Sequence, residues 1–382
     1  MRRLSLMLGV FALVAAAYPA AAGALTINVT PGQSIQAAVD QAQPGDTVSI
    51  APGTYTEAGR PCPSEPDHTC AVVVTKDDIS IVGRSTNPPV VLQAGVGQDQ
   101  GIAVGKSADP SCLTDDSLQV NGSLIQRLTV KGFQDDGVFL FCVDGFRVTE
   151  TRTVDNLEYG IFPSHSFNGR VDHSFASGAN DTGIYIGQSH DVLIDANLAT
   201  DNVSGFEIEN STRVRATGNV STGNTGGILV FALPGLDVKS NSNNEVDHNV
   251  VSKNNRDNTC LDPSDAVCGV PIGTGVLVLA ADDNRVHDNV VKGNDSFGIA
   301  VANFCVATQT PPDQCATLDI QPDSDGNQIT SNTVTGNGKH PDLARLASPV
   351  FAVDLAWDGT GIGNCWSNNV FNTSFPAELP SC

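Results

Sequence analysis

The sequence predicts an all-β chain: a right-handed parallel β-helix solenoid with about 22–23 residues per coil and a short N-terminal capping helix. Two markers predict it. A Gly followed by a large apolar residue returns at Gly137-Val138, Gly160-Ile161, Gly183-Ile184, Gly205-Phe206, Gly227-Ile228, Gly275-Val276 and Gly298-Ile299. An Asn-x4-Asn motif keeps the same time, beginning at Asn197, Asn219, Asn249, Asn289 and Asn332. So short a unit, with β-branched runs and Asn/Gly turns, leaves no room for two helices. The Leu-x-x-Leu-x-Leu frame of leucine-rich repeats is absent. What remains is a stack of coils, each with three short strands, spaced at roughly 4.8 Å.

Each element follows in order. Met1-Arg2-Arg3, the apolar run Leu4–Ala17 and the small-residue stretch "AYPAAAGA" read as a secretory signal peptide, residues 1–24. The apolar run is short for a membrane span of about 20 residues. Residues 25–382 form a single β-helix domain. Within it, 25–57 is the N-terminal cap, where Ser34 N-caps a helix presenting Ile35, Ala38 and Val39 on one face. In the repeats, Val138, Ile161, Ile184, Phe206, Ile228, Val276 and Ile299 should form one inward column. Leu140, Pro163, Ile186, Ile208, Val230, Val278 and Val301, two residues on, should form a second. The Asn columns fit turn ladders whose amides bond from coil to coil. The long interval between Gly227 and Gly275 holds one coil plus an insertion, 252–274, with Cys260 and Cys268. About 350–382 caps the far end, with Trp357, Trp366, Phe371 and Phe375 closing the core.

The ten cysteines all follow the signal segment, and an exported chain meets an oxidising compartment. Proximity suggests Cys62 with Cys70, Cys112 with Cys142, Cys260 with Cys268, Cys305 with Cys315 and Cys365 with Cys382. Metal thiolate is the competing reading, but no CxxC pair occurs. The net charge is −22, and loss of Arg2 and Arg3 with the leader makes the remainder more acidic. Nucleic acid and anionic lipid would be repelled, and no membrane insertion of the mature chain is expected. A polyanionic substrate would need a basic patch or a bridging cation. No nucleophile elbow, P-loop, HExxH or Rossmann fingerprint stands in a fitting context.

The runs "DTGIYIGQS", "GFEIENS", "NTGGILVFALPG" and "PIGTGVLVLA", between Asp181 and Ala280, resemble exported bacterial proteins of the pectin-lyase-like β-helix superfamily. That superfamily includes pectate lyases, mannuronan C5-epimerases and periplasmic proteins of the copper-site accessory type. A closer likeness is to a poorly characterised bacterial β-helix repeat family often encoded beside di-haem c-type cytochromes. The resemblance implies the fold and a periplasmic or secreted location. It also implies a carbohydrate-interacting chain, with a polysaccharide lyase or C5-epimerase as the enzyme version. The rival it implies is a non-catalytic envelope binding or scaffold protein, with a periplasmic di-haem cytochrome c as partner. The Asp-Pro-His-Asp motif of mannuronan epimerases is absent; "FPSHS" at 162–166 does not replace it.

Alternation on a strand places the second and fourth residues after each Gly on the outer, solvent-facing side. Up the stack these are Phe139 and Phe141, Phe162 and Ser164, Tyr185 and Gly187, Glu207 and Glu209, then Leu229 and Phe231. The fifth position adds His165, Gln188 and Asn210. An aromatic row running into carboxylates suits sugar rings, whose C–H faces are apolar and whose hydroxyls bond carboxylates. Tyr185 and His165 are the expected catalytic pair for proton abstraction at a uronate C5. Phe139, Phe162, Gln188, Asn210 and Arg170 are the expected substrate contacts, and Glu207 and Glu209 the expected Ca2+ ligands. Each has a structural alternative. The phenylalanines can pack beneath a neighbouring loop, Tyr185 and His165 can be structural, and the glutamates can be solvated. Arg147, Arg170 and Arg215 alternate with Asp172, Asp195 and Asp247, so an ion-pair ladder competes with a uronan grip. His173, His248 and His287 read as lying on non-adjacent coils and out of register, which disfavours a copper or zinc site.

Overall fold

The computed structural model describes residues 23–382, so the expected signal peptide lies outside the described residues except for its last two. Three sheets run the length of the stack. Sheet 1 has twelve strands, from Thr26–Val29 to Cys365–Ser367; sheet 2 has eleven, from Gly53–Tyr55 to Val370–Phe371. Sheet 3 has twelve, from Arg60–Pro61 to Ser374–Phe375, and contains all the Gly-led strands. Pairing along the stack is parallel, save that Arg60–Pro61 folds back antiparallel on Thr69–Val74. The predicted right-handed parallel β-helix is the fold.

The Gly register is a structural register. Val138 stands beside Ile161, Ile161 beside Ile184, Ile184 beside Phe206, and so on to Ile299. Strand Gly226–Phe231 pairs directly with Thr274–Leu279, so the long interval is one coil with an insertion. Glycine is required at the corner because neighbouring coils close in there. A Cβ at Gly160 would meet the Gly183 carbonyl and the Thr153 side chain. Both inward columns are buried, nearly all at 0 % exposure, and each Val, Ile or Phe so buried contributes about 1.5–3 kcal/mol.

The asparagines form ladders as expected. Asn197 Nδ2 donates to Asn219 Oδ1 at 3.0 Å, and the pattern repeats through Asn249, Asn289, Asn332 and Asn369. The second Asn of each motif makes its own ladder, Asn202 to Asn337, ending on Asp354. A third ladder runs through Asn284, Asn327 and Asn364.

All five disulfides pair as proximity suggested. The cap helix spans Ile35–Gln41, with Ser34 Oγ accepting from the Ala37 amide. At the far end Trp366 is buried and its ring lies 5.6 Å from that of Trp357. Phe375 packs edge-on to Phe351. Phe371 departs from expectation: it is 41 % exposed, because its two-residue strand ends sheet 2 with no further coil above it.

Candidate functional site

The outer face of sheet 3 is not open to solvent. Segments on both flanks of the sheet fold over it: 233–238 and 303–309 follow strands of sheet 3, while 263–271 and 344–351 precede them. They enclose a cleft of about 1110 Å³. The disulfides Cys260–Cys268 and Cys305–Cys315 staple two of these segments. Leu229, Phe231, Val267, Val270 and Leu279 pack together as an apolar cluster and line its middle, with Phe297, Leu346 and Phe351 beyond them. Tyr159, Phe162, Tyr185, Glu158, Asp181, Glu207 and Glu209 line the opposite end. The predicted aromatic row and carboxylate pair are therefore together, but buried: Tyr185 is 6 % exposed, Glu207 3 % and Glu209 7 %. Alternation correctly set the side of the sheet. The covering loops, which carry no period, removed the solvent.

The rings interlock. Phe162 lies 4.9 Å from Phe139, 4.3 Å from Tyr159 and 4.6 Å, edge-on, from Tyr185. Phe139 is buried behind this group and does not line the cleft. The Tyr185 ring lies over Gly187, where a Cβ would collide with it.

The fifth position is a corner rather than a strand face. His165, Gln188 and Asn210 all have φ between +43° and +49°, the left-handed region in which the chain turns toward sheet 1. Their side chains bond covering segments. Asn210 Nδ2 donates to the Leu233 and Val238 carbonyls, and its Oδ1 accepts from the Leu233 amide. Gln188 Oε1 accepts from the Asp237 and Val238 amides; it lines the cleft while holding that strap. His165 has Nδ1 against Ser164 Oγ at 3.0 Å and Nε2 against Asp237 Oδ2 at 3.2 Å, and it is outside the cleft lining. The structure thus separates His165 and Asn210 from the cleft that holds Tyr185. Arg170 belongs to sheet 1, where it pairs with Asp195 at 2.6 Å. With Arg147–Asp172 and Arg215–Asp247 it makes the ion-pair ladder.

Sequence reasoning missed a column of acids. Asp135, Glu158 and Asp181 each stand two residues before a Gly of the register, at the corner entering sheet 3. Backbone bonds stack them in register: the Asp135 amide donates to the Asp99 carbonyl, Glu158 to Asp135, Asp181 to Glu158. Burial, with Asp135 and Asp181 close by, pushes the Glu158 carboxyl up to about 9. Burial and the Glu207 charge hold Asp181 well above the usual carboxylate range, against hydrogen bonds from Thr182 and Tyr159. Burial likewise carries Glu207 and Glu209 each to about 7. The Tyr185 and Tyr159 phenols are pushed up by burial and by these neighbouring carboxylates. One end of the cleft is therefore an aromatic-walled set of carboxylic acids.

Residues 114–370 match the family described as periplasmic copper-binding protein (NosD). The chain belongs to the NosD family. No curated protein matches it. Among solved structures it is similar to the A-module of mannuronan C-5 epimerase AlgE4 from Azotobacter vinelandii, with a TM-score of 0.62 at 18% identity, covering 91% of this chain and 95% of that one. The periplasmic alginate epimerase AlgG gives 0.58 at 14%, covering 91% and 73%. The tailspike protein of E. coli bacteriophage HK620, in complex with a pentasaccharide, gives 0.56 at 12%, covering 91% and 61%. At these identities the likeness is one of fold. No helix among the described residues is long and apolar enough to cross a membrane.

The family's description implies copper, and this NosD chain offers little to hold it as a resident soft ion. Thiolate and thioether donors suit copper(I), yet every cysteine is in a disulfide and the two methionines fall outside the described residues. All seven histidines sit against carboxylates. His248 and His287 are closer than their sequence spacing suggested: they lie on adjacent coils, with ring centroids 6.4 Å apart. Each is taken up by an acid, His248 by Asp247 and His287 by Glu245 and Asp288. A thiolate, thioether or multi-histidine copper site does not fit the described residues.

Proposed function

We propose that the chain binds carbohydrate in the sheet 3 cleft, with the apolar faces of sugar rings on Phe162, Tyr159 and Tyr185 and the hydroxyls on Asp181, Glu207 and Glu209. The observation that carries this reading is the convergence of that aromatic wall with those acids inside one enclosed cleft, the usual make-up of a small-molecule site. The charge favours neutral or amine-bearing sugars over uronans. Arg345 is the one Lys or Arg side chain in the lining, and it is already bonded to Asp342 and the Cys268 carbonyl.

In an enzyme version the acid–base work falls to Glu207 and Glu209, whose carboxyls near 7 suit proton transfer at neutral pH. Tyr185, its phenol held protonated, then acts as a hydrogen-bond donor rather than as the base. Ca2+ at Glu207 and Glu209 would compete with their protons near neutral pH. The test is calorimetric titration with neutral, amino and uronic oligosaccharides, with and without Ca2+, with product formation followed in parallel. Binding of a neutral or amino sugar that is weakened in Glu207→Gln is expected. Failure of the whole panel would overturn the carbohydrate reading. It would leave the envelope scaffold reading, which the family's description as periplasmic favours, with the di-haem cytochrome as the first partner to try.

A further inference from the structure

We propose that Glu65, His68 and Asp135 form a binding site for a divalent first-row transition ion of the zinc kind, at the end of sheet 3 next to the acid end of the cleft. The site is built on a stapled hairpin. Cys62–Cys70 closes it, the Cys62 amide donates to the His68 carbonyl, and the His68 amide donates to the Glu65 carbonyl at 2.8 Å across a turn containing Pro66. Proline at that place pre-sets the turn, so Glu65 and His68 are fixed before any ion arrives. Asp135 comes from the corner entering sheet 3, anchored through its amide to the Asp99 carbonyl.

The donor spacing suits one shared ion. His68 Nδ1 lies 3.2 Å from Glu65 Oε2 and 3.3 Å from Asp135 Oδ2, and the three donors lie within 4.8 Å of one another. Ligands that share an ion at about 2.1 Å stand about this far apart. No Lys or Arg among the described residues pairs with either carboxylate.

A separate observation points to a missing ligand. Asp136 is 1 % exposed, and its Oδ1 has no hydrogen-bond partner. Its Oδ2 faces Gln100 Nε2 at 3.4 Å, and the same amide donates to Glu65 Oε2, so Gln100 links this carboxylate to the cluster. One imidazole among carboxylates selects a borderline ion over Ca2+, which takes oxygen ligands. The side chains of His68 and Glu65 are 42% and 37% exposed, leaving room for water on the ion. The second three-ligand group, Glu245, Asp247 and His287, is of a different kind. Asp247 is filled by Arg215, Thr217 and His248, and Glu245 is held by Arg285 and His287.

The experiment is calorimetric titration of the metal-free protein with Zn2+ alone, and separately with Ca2+, at about pH 7.5, where the ligands are available. One equivalent of Zn2+ should bind. His68→Ala, at an exposed hairpin tip, should weaken it by more than about tenfold, and Asp136→Asn should also weaken it. His287→Ala should bind as the wild type does. Metal-free melting curves superimposing on wild type would establish that each variant is folded. Absence of Zn2+ binding, retention of it in His68→Ala, or tighter binding of Ca2+ than of Zn2+ would each overturn the proposal.

Discussion

Tyr185 keeps its place because position 187 has no side chain. Its ring occupies the volume that a Cβ at Gly187 would need, and Gly187 sits within strand Thr182–Gly187 without a positive φ. Gly187→Ala should therefore displace the ring while leaving the coil intact. We expect sugar affinity to fall by about tenfold or more, equivalent to roughly 1.4 kcal/mol, with far-ultraviolet dichroism unchanged; unaltered affinity would show that the ring does not contribute. Glu207 sets the second prediction. Its carboxyl moves from 4.5 to about 7 on folding, so the folded form holds the proton more tightly. The associated stability is fully present below about 4.5 and is lost as pH rises to about 7. Glu207→Gln removes that loss. The variant should melt about 2 °C or more above wild type at pH 8, with little difference at pH 4; parallel melting profiles across that range would refute this.

At the scale of elements, the ladders fix the coils to one another. Asn249 donates to Asn289 Oδ1 and to the Ala216 carbonyl, while its own Oδ1 accepts from the Asn219 amide and side chain. All of these groups are buried. Asn249→Ala orphans several at once and should cost about 2–3 kcal/mol, read as a lower urea midpoint at unchanged m-value. Such elements were legible in the sequence because each rests on a period: Gly for close approach, Asn for the stacked amides, alternating apolar residues for the core. The local cysteine pairs were legible because their partners lie few residues apart. His165 and Asn210 fall outside the cleft lining because the alternation rule was carried one residue past the strand, into the corner; Gln188 shares that corner and still lines the cleft. Asp135, Glu158 and Asp181 kept the period in plain view, two residues before each Gly, but on a turn that the strand rule does not reach. Of the cover over sheet 3, the sequence showed the insertion 252–274 and the Cys305–Cys315 pair, but the straps 233–238 and 344–351 repeat nothing and gave no signal.

On the scale of the whole molecule, the stack of acids beside sheet 3 sets a stoichiometry between folding and the solvent. Glu158, its carboxyl pushed up to about 9, holds its proton in the folded chain near neutrality, where the same side chain in the unfolded chain is ionised; burial displaces Asp136 and Asp181 in the same direction. Refolding at about pH 7 in weak buffer must then draw hydrogen ions from the medium. An indicator dye should report alkalinisation that follows the same time course as the recovery of tryptophan fluorescence. The shift should shrink in Glu158→Gln, and a flat dye trace would show that these acids are ionised in the native state. Toward its surroundings, the chain as it folds behaves as a base.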